Sequence, residues 1–453
     1  MHRATTDEPG AAAPAAAGTD IRGKGQSPPP TLVRRCWSVL GVAVILAAGA
    51  ACTRVHAADA PPAAPSPQQQ LLNALAAVVA KQPRHVGALY VAARTAASMG
   101  DEAAAIQWLD RLADIGMDDE LDPDDFGAFA DTPAYRARAA RFAAKAPPIG
   151  SPLRERETKC AGLLPEGTAW DAKRSELLVS SGRRRTVVAV DANGRCRDVV
   201  PPRDGGLLAV LGMTVDPAAD ALWVASTAAP FMIDRRPEEA GRAMLARIDL
   251  ARGGVSHVYP LPEPGMLNDL ALAADGSVYV TESQGGTVWS LRAGATALAR
   301  VLPPATFESP NGIVWLAPSH LLVADFDGLA LVSLPDAAGA APRVRRLATP
   351  GDVYLGGIDG LARSERGVIG IQNLVGRTRV WFLAIDLAHA RVSHAEVILR
   401  GHADFRNPTT GVVIGDRLVF VADTKLQAPT GQGEVTPLPA GRTGHRVLEV
   451  RVR

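Results

Sequence analysis

Residues 267–283 read LNDLALAADGSVYVTES: a short apolar strand opening on a polar residue, an Asp-Gly turn, and a second strand, VYVTE. Locally this is an antiparallel hairpin, because a tight turn between two strand-forming runs pairs them. Recurrence decides the fold. The same texture returns as PEGTAWDAKRSELLVSS (165–181), LGMTVDPAADALWVAST (211–227), PNGIVWLAPSHLLVADF (310–326), IDGLARSERGVIGIQN (358–373) and PTTGVVIGDRLVFVADT (408–424). The openings of these copies lie 43 to 56 residues apart, the length of a four-stranded blade. Third strands follow in several copies, as at 186–190, 243–248, 287–291 and 380–385. The expectation is an all-β six-bladed β-propeller over 147–453. Its last blade would be completed by residues before Glu166 pairing with the terminal strand His445 to Val452.

Upstream the texture is helical. Across 68–146 apolar residues recur three and four apart, as in Leu71, Leu72, Leu75, Val78 and Val79, with breaks at Pro83, Gly100-Asp101 and Gly116. The stretch Ala88 to Gly116 resembles a tetratricopeptide unit. Too little chain is present for a solenoid, so this small α-helical domain is a cap or a docking element for a protein partner. Trp108 reads as a core aromatic, and the acidic run Asp118 to Asp125 as a solvated loop.

Residues 58–67 form a Pro/Ala linker, and 32–57 read as a signal peptide. Arg34 and Arg35 precede an uncharged apolar run, Trp37 to Ala51, shorter than the roughly 20 residues a permanent membrane span needs. The product is expected to be exported, periplasmic or secreted. Lipoprotein anchoring at Cys52 is the alternative, although Gly49 stands where such a signal usually has Leu. Residues 1–31 read as a disordered lead, with translation expected to start near Leu32 or Val33. Cys36 and Cys52 belong to the signal region. Cys160 and Cys196 remain, and an oxidising compartment allows them to bridge; two unpaired thiols are the alternative. The formal charge of +1 gives no electrostatic case for a nucleic-acid partner. The run Arg183, Arg184, Arg185 reads as a solvated strand end.

In a propeller the first strand of each blade lines the central channel, so the residue opening each copy faces the axis at one end. Those residues are Glu166, Gly212, Asn268, Asn311, Asp359 and the pair Thr409/Thr410. Four of the six positions offer a carboxylate or amide oxygen, and none offers Cys or His. An oxygen-only set suits a hard divalent cation: calcium first, with magnesium, manganese and zinc as alternatives. Asn-Asp and Asn-Gly are ordinary turn dipeptides one at a time. Turn chemistry does not explain their return at one register.

The motifs PEGTAW, MLNDLALAADGSVYVTES, SPNGIVW and GGIDGLA resemble, in matching order, those of the senescence-marker-protein/gluconolactonase (luciferin-regenerating enzyme) family, and LNDLAL is also similar to a paraoxonase strand. The resemblance covers about 150–453. It implies that Glu166, Asn311 and Asp359 hold a catalytic metal, with Asn268 near it or near substrate. It further implies that Asp359 is the base steering a water onto a lactone or ester. Two departures stand out: Met266 occupies the place of a sugar-contacting arginine, and Leu211-Gly212-Met213 offers no histidine. A more apolar small-molecule lactone or ester therefore fits better than a sugar lactone. His402, Tyr354, Asp327 and Glu282 are candidates for the pocket mouth, and Met266, Tyr354 and His402 for substrate contact. No G-x-S-x-G or P-loop motif appears. Two alternatives stay open: a non-catalytic propeller whose calcium is structural and which binds a ligand or protein, and different chemistry, such as a lyase or isomerase, on the same scaffold.

Overall fold

The computed structural model describes residues 65–452, apart from 120, 145–146, 317, 336–339, 375 and 430–433. The lead, the export signal, Cys52 and most of the linker lie outside the described residues. Four helices come first: α1 (Pro67–Lys81), α2 (Val86–Ser98), α3 (Glu102–Asp114) and α4 (Pro133–Ala143). Each begins on a side-chain cap that satisfies an otherwise unpaired amide, from Ser66, His85, Asp101 and Thr132 respectively. The expected breaks at Pro83, Gly100-Asp101 and Gly116 all fall between helices. Among the described residues no helix is long and apolar enough to cross a membrane.

The rest is a six-bladed propeller of six four-stranded antiparallel sheets. In five blades the four strands follow in chain order from the axis outward. The sixth takes Gly411–Ile414, Arg417–Val421 and Arg446–Arg451 from the C-terminus and its outermost strand, Arg154–Glu157, from the start of the domain. Arg154 pairs with Glu449 and Glu157 with Arg446, so the ring is closed as the repeat predicts. Neighbouring blades pack face to face, which buries both sides of the middle strands. Thr186–Val190 and Val278–Glu282 are accordingly buried at every residue. Cys160 and Cys196 form a disulfide beside this closure, with their Cα atoms 5.9 Å apart.

The helices rest on the propeller end at which the inner strands begin, over blades four and five. Tyr354, in the loop entering blade five, is buried in the helical core, and Phe326 and Leu374 pack against the same cluster. Arg84 donates to the Val353 carbonyl at 2.6 Å. Asp118 is buried and ion-pairs with Arg379, so the acidic run is not wholly a solvated loop: its first residue clamps the helices to blade five. Trp108 sits at the edge of the helical core, partly buried, with the Arg111 guanidinium 4.9 Å from its ring. Arg185 departs from the solvated-turn reading as well. It is 2% exposed and pairs with Glu239 at 2.7 Å, because a long loop from blade two folds over it.

Candidate metal centre

Close packing at the axis fixes which residues occupy equivalent places. A Cβ added at Gly167 would lie 2.2 Å from the Leu211 carbonyl, one at Gly212 2.7 Å from Asn268 O, one at Gly312 2.8 Å from Asp359 O, and one at Gly360 2.4 Å from Thr409 O. Each glycine therefore follows a ring residue and abuts the ring residue of the next blade. The ring is Glu166, Leu211, Asn268, Asn311, Asp359 and Thr409. This corrects the sequence alignment in blade two by one place: Gly212 is the spacer and Leu211 the ring member. A β-bulge between Val210 and Met213 shifts that strand's register and so displaces the ring place from its periodic position. Bulges also lie between Leu267 and Leu270 and between Ile358 and Gly360, beside two of the proposed ligands. In blades three and six the spacer is not glycine but a side chain bridging to the next blade. Asp269 accepts from the Ile313 amide (3.4 Å), and the Thr410 hydroxyl accepts from the Thr168 amide (3.1 Å).

The backbone just before the ring is bent to present it. Leu164, Ser309 and Asn407, each two residues ahead of a ring position, have φ of 44°, 51° and 62°. Each is followed by proline. Left-handed φ in such residues costs on the order of 1–3 kcal/mol and persists only where the surroundings impose it. Hydrogen bonds from the second strands do so. Ser180 Oγ accepts from the Glu166 and Gly167 amides (3.1 and 2.7 Å), and the Thr281 hydroxyl donates to Asn311 O (2.7 Å). The Thr409 and Thr410 hydroxyls donate to the Glu166 carbonyl at 2.6 and 2.9 Å, so this pair braces Glu166.

Asn311 and Asp359 come together directly, the Asn311 side chain bonding the Asp359 carboxylate. Asn373 donates to Asp359 Oδ2 at 2.6 Å. Asn268 donates through Nδ2 to Ser283 Oγ (3.0 Å), and Ser283 donates to Pro310 O (2.7 Å), an arrangement that fixes the amide and reserves Oδ1 as the acceptor. Glu166 is pushed up to about 8, first by burial and then by the Asp359 carboxylate, against the opposing pull of Lys425. Burial also raises Asp359, to about 6, although Asn373, Lys425 and Asn311 favour its ionised form. A third axial acid, Asp269, is raised by burial to about 7 and lines the roughly 400 Å³ cavity that continues down the channel. Burying mutually repelling carboxylates is unfavourable unless a cation joins them. The donor set, two carboxylates and two amide oxygens with no sulfur or imidazole, fits a hard divalent ion.

The other candidates are placed variously. Met266 stays at this end, 38% exposed, in the turn leading to Asn268. Tyr354 is corrected: it is buried under the helices, its hydroxyl donating to Phe326 O (2.8 Å). His402 is corrected too. Its Nε2 lies 3.3 Å from Glu155 on the outermost strand of blade six, away from the axis. Glu155, His402 and Asp404 could be taken for a metal cluster, but Asp404 already pairs with Arg442 and Arg446 at 3.3 and 3.2 Å. Glu282 is buried and accepts three amides, from Met266, Gln284 and Gly285, which makes it a loop organiser. Asp327 is half-buried beside Asp325 and is raised by burial. Sequence reasoning missed Asp269, Asn373, Ser283 and Lys425. Three were within sight, as the polar residues inside or trailing the quoted copies LNDLAL, VIGIQN and VYVTES.

No family model matches the chain, and no curated protein matches it in sequence. Among solved structures it is similar to a PQQ-bound aldose sugar dehydrogenase from Streptomyces coelicolor (16% identity, TM-score 0.46, covering 68% of this chain and 99% of that one). It is also similar to a gluconolactonase from Xanthomonas campestris (16%, 0.45, 67% and 94%) and to virginiamycin B lyase from Staphylococcus aureus (11%, 0.42, 66% and 99%). Its structural neighbours thus include gluconolactonases, sugar dehydrogenases and lyases of propeller architecture. At these values the likeness says nothing about which chemistry this chain performs.

Proposed function

We propose that this protein hydrolyses a small lactone or ester with the help of a divalent cation, calcium first, held by Glu166, Asn268, Asn311 and Asp359. The observation that carries the reading is the meeting of Glu166 and Asp359, two desolvated carboxylates with Asn311 bonded to one of them and Lys425 as the compensating charge. A bound cation supplies Lewis-acid polarisation of the carbonyl and a lowered pKa for water. Asp359, oriented by Asn373, takes the proton as the water oxygen bonds the acyl carbon. The carbon–alkoxy bond then breaks, and the proton passes to the departing oxygen. Lys425 offers positive charge to the oxygen that becomes anionic. Leu211 leaves one sector of the ring apolar, which suits a substrate less polar than a sugar lactone. The Cys160–Cys196 bridge supports export to an oxidising compartment.

The test is turnover of an aryl-ester and lactone panel by purified protein, with and without chelator. Chelator-sensitive hydrolysis lost in Asp359→Ala is the expected result. A folded, calcium-loaded protein inert toward the whole panel would overturn the reading in favour of a structural ion in a binding module.

A further inference from the structure

The three-arginine run in blade one is used unevenly. Arg184 binds Asp198 through both carboxylate oxygens at 2.9 Å, and Arg185 is sealed against Glu239. Arg183 alone has no carboxylate partner among the described residues, and its Nε is buried without a hydrogen bond. Its backbone is pinned on both sides, its amide donating to Leu163 O (3.2 Å) and its carbonyl accepting from Ile233 (3.0 Å). The chain is thus fixed at Arg183, and the base of its guanidinium is buried.

Arg183 lines a cavity of about 590 Å³ with Pro230, Met232, Ile233 and Arg235. Arg236, Asp234 and Glu434 complete the charged lining. Arg236 is already paired with Glu238 and Glu239, and Asp234 with Arg203, while Arg183 and Arg235 share the lining with Glu434. The wall is the 228–242 loop, tied down by the Arg185–Glu239 pair and by its Ala228–Arg242 hydrogen bond. Met232 belongs to two surroundings at once. It lines this cavity, and it packs in the apolar cluster that contains the ring residue Leu211. Met232 thus links the cavity wall to the apolar cluster that holds Leu211, the ring position whose side chain carries no oxygen. The cavity lies at the same end as Glu166, since Gly182, next to Arg183, donates to Leu164 O.

We propose that this cavity is a subsite for a carboxylate carried on an apolar stem, with Arg183 as the main anchor and Arg235 as its second charge. Arginine suits the task because its planar fork meets a carboxylate through two parallel hydrogen bonds. The floor of Pro230, Met232 and Ile233 suits the stem. Resting on the hydrolase reading above, the substrate is then an anionic lactone or ester, its reacting carbonyl at the ring and its free carboxylate between the arginines.

Two measurements on the full chain decide this. In calorimetric titration glutarate binds saturably with or without chelator, and Arg183→Gln weakens it about 10-fold or more, the value of one lost charge-assisted pair. Arg235→Gln weakens it less. Inorganic phosphate as the second probe binds more weakly than glutarate; a reversed order would reassign the site to phosphate esters. Glutarate showing no saturation into the tens of millimolar, or binding Arg183→Gln as well as the parent, overturns the subsite. Kinetically, the kcat/KM ratio for a carboxylated over a neutral ester falls about 10-fold in Arg183→Gln, through KM. Should no ester be turned over, the hydrolase reading fails while the titration still decides the subsite.

Discussion

Arg185 donates to Glu239 across 2.7 Å with both side chains within 2% of complete burial, and that contact joins the first blade to the loop arching from the second. Burial alone would push Glu239 up. The Arg236 amide and the two guanidiniums outweigh it and hold the carboxyl down to about 2. Breaking such a pair from one side leaves an uncompensated charge, so Glu239→Ala should cost about 3–5 kcal/mol in urea unfolding. Because the folded pKa is depressed, the stability the pair contributes is full above the ordinary value of 4.5 and is lost as pH falls through about 2. In acid titration the parent's stability margin over Glu239→Gln should stay constant above about pH 5 and shrink below it.

The axial acids predict the opposite slope. Glu166 binds its proton more tightly folded than unfolded, so without metal the folded state holds extra protons between 4.5 and about 8. Stability should then decline as pH rises through that window. In chelator, the melting temperature should drop from pH 5 to 8 and the drop should flatten in Glu166→Gln. Excess calcium should restore the parent and leave the variant little changed. A parent protein whose melting temperature ignores pH and calcium alike would contradict the arrangement.

Gly212 should tolerate no side chain. Its Cβ would stand 2.6 Å from Asp269 Oδ1 and 2.7 Å from the Asn268 carbonyl, so Gly212→Ala must displace the strand that carries Asn268. Overpacking of this kind costs about 1–3 kcal/mol. The variant should melt earlier and bind calcium more weakly, as read by chelator competition. Alanine at Gly294, which has open space around it, is the control for handling, though its φ of 77° adds backbone strain there.

Ser283 holds the Asn268 amide and should matter without touching anything that reacts. Ser283→Ala should lower metal affinity or turnover by about 10–100-fold, the usual scale for a group that orients a ligand. The melting temperature of the metal-free protein should move little. If Asn268 were merely a turn residue, calcium binding would be indifferent to this change.

The propeller was legible because radial repetition is written into the chain as a period. Strand, turn and strand return at blade length, and each copy must bury both faces against its neighbours. The axial ring was legible at four places for the same reason: Glu166, Asn268, Asn311 and Asp359 open successive copies. It was misread at Gly212 because a bulge adds a residue that no periodic pattern announces. His402 and Tyr354 were misassigned because a loop's position in the chain does not say what covers it. One is drawn to the outermost strand, the other lies beneath the helices.

Local chemistry along the chain therefore determined the strands, the helix breaks, the closure of the ring and the oxygen character of its axis. These depend on hydrophobic alternation, turn residues and repeat length, all short-range or periodic properties. Tertiary structure decided the rest: that Leu211 takes the ring place between Glu166 and Asn268, that Arg185 is buried while Arg183 lines a cavity, and that Asp118 clamps the helices down. Each of these depends on which distant segment supplies a partner charge or a roof. Partnership across space follows from packing, and packing has no signature within a single stretch of chain.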